Sequence, residues 1–118
     1  MIKYISVPEK RMTIAMLENT QYCAIEYLDK MCDKFFMRGI YAGPHYDKYK
    51  MPNQFKAYAR CHPEDEWNEE EGKRIAKDKL MKNYYASFDK RIAMFHADLE
   101  ESYQNFMKNT WQYKINVV

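Results

Sequence analysis

Lys56, Tyr58, Arg60 and His62 occupy every second position of the stretch KAYARCH. In an extended strand such residues project from one face, giving a ladder of ammonium, phenol ring, guanidinium and imidazole. The chemistry of that ladder suits a phosphorylated ligand that carries a base. Lys56 and Arg60 would meet phosphate oxygens, Tyr58 would stack on the ring, and His62 would hydrogen-bond. Tyr46, in the aromatic segment just upstream, is a second candidate for stacking. The plainer reading is an ordinary solvated strand face, where Lys, Arg and Tyr are common.

The carboxylates that follow are more conspicuous. Glu64, Asp65 and Glu66 precede Trp67 and Asn68, and Glu69, Glu70 and Glu71 come next. Asn68 with Glu71 three residues on is a capping-box pattern, and acidic side chains near a helix start complement its dipole. General acid–base or metal chemistry would need carboxylates converging from separate segments, whereas these come from one turn. Gly72 in the second helical turn costs about 1 kcal/mol relative to Ala, so something is expected to approach closely there, with the Trp67 indole as the first candidate.

His62 has no Ser or Cys nucleophile placed beside it, and Cys61 should point to the opposite face of the strand. A Cys–His nucleophilic pair is therefore not indicated. Cys23, Cys32 and Cys61 form no CxxC and no zinc spacing, and their odd number argues against a disulfide framework. Neither a metal nor an organic cofactor is expected, and the chain does not read as an enzyme.

The elements that would position these groups follow from periodicity. Residues 1–17 alternate like a β-hairpin, with PEK at the bend. Asn19 or Thr20 is placed to cap a helix over 20–37, whose stripe is Ile25, Leu28, Cys32 and Phe35 and whose stop is Gly39. An aromatic loop over 40–54, packed over the sheet edge or used for binding, leads to a third strand with Phe55, Ala57, Ala59 and Cys61 facing the core.

From Asn68 onward only Gly72 interrupts a stripe that steps by three and four through Ala76, Leu80, Tyr84, Phe88, Ile92, Phe95, Leu99, Tyr103, Phe106, Thr110 and Tyr113. This is one very long helix, or two broken near ASFD at 86–89. If it is unbroken, its distal half cannot bury Phe95, Leu99 and Phe106 on its own sheet and must meet a second chain; a folded-back hairpin would need none. The fold class is thus α+β in a single domain over 1–118, with a β-β-α-β core over 1–66 and a long helical segment over 67–113 that serves oligomerisation.

Composition narrows the function classes. The 118 residues carry 19 Lys and Arg against 17 Asp and Glu, a formal net charge of +2, which gives no global attraction to nucleic acid or anionic lipid. Eleven Tyr, six Phe, two Trp and nine Met beside three Gly point to a core plus an adhesive surface. No stretch has the length of a signal peptide or of a membrane span. The expected location is the cytoplasm, with no membrane and no specific nucleic acid as partner.

Residues 51–80, MPNQFKAYARCHPEDEWNEEEGKRIAKDKL, resemble small phage and prophage proteins of low-GC Gram-positive hosts. The likeness lies in the MPN-x-F start, the alanine-rich strand, the Cys-x-Pro-x-Asp-x-aromatic turn and the Glu-x-Gly-x-x-Ile-Ala helix start. A small β core followed by long C-terminal helices is also similar to the first family of Thoeris anti-defence sponges. That resemblance implies a homo-oligomeric viral protein in the cytoplasm of an infected host cell. It would sequester a cyclic nucleotide immune signal, a cyclic ADP-ribose isomer or a cyclic oligonucleotide, without catalysis. The expected site for this immune evasion is a pocket at a helix-mediated interface. The alternative is an anti-CRISPR-like module that inhibits a host defence protein by contact.

Overall fold

The computed structural model describes residues 1–35 and 47–117. Strand β1 (Lys3–Val7), strand β2 (Met12–Glu18), helix α1 (Cys23–Lys34), strand β3 (Gln54–Arg60) and helix α2 (Glu69–Val117) follow one another in that order. The fold is α+β, a three-stranded antiparallel sheet ordered β1-β2-β3 with a long C-terminal helix.

The hairpin forms as its alternation dictates. Pro8–Lys10 make a turn of 3-10 helix, and Arg11 closes it in the left-handed conformation with φ 50°. Ser6 pairs with Thr13, and Thr13 in turn with Ala59. This register puts Tyr4, Thr13, Ala15, Phe55, Ala57 and Ala59 on one face, against Ala76 and Leu80 of α2. The opposite face carries three cross-strand rows: Lys3-Met16-Lys56, Ile5-Ile14-Tyr58 and Val7-Met12-Arg60.

Alanines let the helix axis come close to the sheet, and Gly72 marks the tightest point. A Cβ there would stand 2.6 Å from Thr13 Oγ1 and 3.7 Å from Trp67 Cη2. Trp67 therefore does lie against the glycine, and β2 is nearer still. The Thr13 hydroxyl is fully buried at this contact without a hydrogen-bond partner.

Helix α1 is shorter than its sequence stripe. It starts after Tyr22, and no side chain caps it, so neither Asn19 nor Thr20 has the expected role. Asn19 instead turns the chain at φ 61°. Thr20 is buried and donates its hydroxyl to the Pro52 carbonyl, tying the start of α1 to the segment before β3. Ile25, Leu28 and Cys32 are buried, but Phe35, the C-cap one position past the last helical residue, is 55% exposed. Gly39 lies outside the described residues.

The end of the aromatic loop packs, though against the helices and not over the sheet edge. Tyr49 and Met51 are buried, and Tyr49 joins Ile25, Leu28, Cys32 and Phe95 in a second core. Its phenol donates to the Asp98 carboxylate, which also pairs with Lys48 at 2.7 Å.

Helix α2 is one element of 49 residues, so the folded-back hairpin does not occur. At ASFD, Ser87 does not cap a second helix. Its hydroxyl accepts from Arg91, whose Nε donates to the Lys50 carbonyl, while Phe88 meets Tyr27 edge-on with ring centroids 5.6 Å apart. Phe95 and Leu99 find cover on α1 and Tyr49, contrary to the expectation that they need a second chain. Phe106 does not: it is 66% exposed. The chain spans 79 × 23 × 21 Å, and its radius of gyration is 21.7 Å, against about 13 Å for a compact domain of this length.

Two outcomes test this packing. Gly72→Ala, normally stabilising in a helix, should lower stability by about 1–3 kcal/mol through overpacking against Thr13, read by denaturant titration. Burial, with hydrogen bonding to Cys23 secondary, pushes the Tyr84 phenol up to about 12 from an ordinary value near 10, and burial beside Asp98 raises Tyr49 as well. Both folded forms hold the proton more tightly than the unfolded chain, so their contribution is complete below pH 10 and is lost as pH rises from there towards 12. The melting temperature should therefore fall steeply across that window, and less so in Tyr84→Phe.

Candidate functional site

The ladder read from sequence is divided by the structure. Strand β3 ends at Arg60, so only Lys56, Tyr58 and Arg60 share its outer face. His62 lies beyond the strand in a turn, where its Nδ1 accepts the Glu64 N–H at 3.2 Å. Tyr46 lies outside the described residues.

Arg60 and His62 line a cavity of about 310 Å³ between the end of β3 and the first turns of α2. Its turn is braced from the hairpin. Arg11 donates to the Pro63 carbonyl at 3.0 Å and to Cys61 Sγ at 3.4 Å, and the Cys61 N–H donates to the Arg11 carbonyl at 2.9 Å. The Cys61 thiol points into the turn, 3.3 Å from the Glu66 carbonyl.

The α2 start closes the other side. Asn68 caps as expected, its Oδ1 accepting the Glu71 N–H at 3.1 Å. Glu71 does not reach back to complete a capping box. It turns forward to Arg74 Nε at 3.1 Å, and that hydrogen bond holds its carboxyl below the ordinary value. Arg74 also reaches Asp78 at 3.1 Å. With Asp65, Glu66 and Glu71 against one guanidinium, the lining is acidic, and a phosphate would be repelled.

Lys56 and Tyr58 belong to a different feature. They line an open groove of about 410 Å³ with Lys79, Lys82 and Asn83 of α2, along the outer edge of β3. As the last strand of the sheet, β3 leaves this edge unpaired among the described residues. Residues at odd positions bond towards β2, as Cys61 does to Arg11, so those at even positions direct their backbone groups into the groove. The Tyr58 carbonyl is one, and Lys79 Nζ donates to it at 3.2 Å. Tyr58 itself is 49% exposed beside Ile14. Three lysines and a half-exposed ring along one groove have the chemistry that suits an anion with an attached planar group.

Sequence reasoning missed Lys79, Lys82 and Asn83. Their spacing of three and four places them on one flank of the Ala76–Leu80 docking stripe, a signal present in the sequence. What it could not supply was which strand edge that flank would meet. Among the described residues, no three His, Cys, Asp or Glu side chains gather as a metal would require, and no helix is long and apolar enough to cross a membrane.

No family model, curated protein or solved structure matches the chain. The site geometry should respond to its cap: Asn68→Ala is expected to lower stability by about 1 kcal/mol and to loosen the cavity wall, read as faster amide exchange over residues 66–72.

Proposed function

We propose that the protein is a non-catalytic phage anti-defence factor that sequesters a cyclic nucleotide immune signal, a cyclic ADP-ribose isomer or a cyclic oligonucleotide, in the host cytoplasm. The observation that carries this reading is the open groove that Lys56, Tyr58, Lys79, Lys82 and Asn83 line along the β3 edge. Ammonium groups would neutralise the phosphates, Tyr58 would stack on a base, and Asn83 would supply a donor and an acceptor to a base edge. All five side chains come from one chain, so the site in this reading is complete within each protomer and is not a pocket at the helix interface.

Arg60, on the same strand face one row beyond Tyr58, would extend the positive field along the edge. His62 serves the turn and has no part in ligand contact in this reading. The protein would act as a homodimer or higher homo-oligomer through α2. Sequestration requires tight binding and slow release, and no bond is made or broken.

A second reading rests on the exposed rings of the distal α2, among them Phe106 and Trp111 at 66% and 64% exposure. These would suit an anti-CRISPR-like inhibitor that docks on a host defence protein by contact. Calorimetry and thermal shift against cyclic ADP-ribose isomers and cyclic di- and trinucleotides separate the two. A sequestering protein saturated at about 100 times its Kd gains about 2.7 kcal/mol in stability. The ligand should be recovered intact after denaturation. Tyr58→Ala and Lys82→Glu should each weaken binding about tenfold or more with the fold unchanged, and a flat response to every nucleotide would sink the reading.

A further inference from the structure

Beyond Leu99, among the described residues the last of α2 packed on the second core, residues 100–117 continue as helix for about 27 Å at 1.5 Å per residue. Tyr103, Phe106, Trp111, Tyr113 and Ile115 on this segment are 57–72% exposed. At about 100° per residue their directions, with Met107 and Thr110, span an arc of roughly 200° into which Gln104 also falls, while Glu101, Asn105, Lys108, Asn109 and Gln112 fill the rest. An apolar surface of this kind on a projecting helix is covered by another molecule in solution.

Two charges interrupt the arc, Glu100 near its start and Lys114 near its end. Each is seven residues from Met107, so Glu100, Met107 and Lys114 lie on one line along the helix. Among the described residues neither charge has an ion pair within the chain. Lys114 Nζ sits 5.8 Å from the Trp111 ring centroid, in the apolar arc itself.

We infer that the occupant of this surface is a second copy of the same chain, running antiparallel about a two-fold axis at Met107. That axis places Glu100 opposite the partner subunit's Lys114 and Tyr103 opposite the partner subunit's Trp111, with the two Met107 side chains meeting at the centre. The pattern is self-complementary, as an isologous contact demands. A parallel pair would set Glu100 against Glu100 and Lys114 against Lys114, burying like charges. The inference rests on the reading of α2 as the self-association element and specifies its geometry. It also sets the spacing of the grooves. Lys79 is 28 residues from Met107, about 42 Å along the helix, so the two grooves lie at opposite ends of the dimer and cannot share a ligand.

Sedimentation equilibrium of the full chain, wild type against Glu100→Lys, Lys114→Glu and the double exchange, tests this. The wild type should be a dimer. Each single reversal should weaken dimerisation about tenfold or more, since it places like charges across both symmetric contacts, and the double exchange should restore it. Circular dichroism of each variant confirms that the exposed substitutions leave the helix intact. A wild-type monomer at high concentration overturns both the geometry and the self-association reading. A wild-type dimer indifferent to the single reversals overturns the antiparallel geometry alone.

Discussion

The close seating of α2 on the sheet is the contact from which the other features follow. Ala15, Ala57, Ala59 and Ala76 keep side chains out of the interface, and Gly72 removes the last Cβ where β2 comes nearest. With so little side-chain volume between the layers, rotation of the helix is tightly limited. Fixing it aims Leu80 at the sheet, sends Lys79 to the β3 edge, and directs Phe88 and Phe95 towards α1 and Tyr49. One orphan hydroxyl, on Thr13, accompanies this fit. An unpaired buried hydroxyl is costly, and its persistence shows how strongly packing dictates the contact.

The same seating produces two neighbouring concavities of opposite character. At the N-terminal end of α2, the residues that start the helix are necessarily acidic, because carboxylates suit its positive pole. They therefore line the cavity beside Arg60 and His62 with negative charge. Two turns further along, the flank of the helix is free of that demand and carries Lys79 and Lys82. The groove there combines unpaired strand backbone with cations, and Lys79 already occupies one carbonyl. A lysine on a sheet edge also discourages unwanted strand pairing.

Helix α2 has three different surroundings along its length. It rests first on strands, then on α1 and the Tyr49 segment, and last, among the described residues, on nothing within its own chain. Its apolar stripe changes composition accordingly. Ala and Leu serve the tight β contact, Phe and Ile serve the looser helix contact, and Tyr, Phe and Trp dominate the exposed end. Aromatic side chains with polar tips, as on Tyr103, Trp111 and Tyr113, tolerate exposure better than aliphatic ones.

The sequence by itself determined the elements: the hairpin alternation, the third strand, the Asn68 cap, and the period that carries α2 without Gly or Pro from 73 onward. These are local properties, fixed by dihedral preference and side-chain periodicity. It also marked Gly72 as a point of close approach, since a glycine inside a helix needs a reason. Only the tertiary structure decided which groups share a site. His62 is a sequence neighbour of Tyr58, yet the end of the strand separates it, and Arg60, on the same strand face, lines the other cavity, whereas Lys79 and Lys82, more than twenty residues away, join Tyr58 in the groove. Juxtaposition across the sheet edge depends on the rotation of α2, which is set by packing volumes and not by any pattern along the chain. For the same reason Phe95 and Phe106, identical in type and on one stripe, differ in fate: α1 reaches the first and stops short of the second.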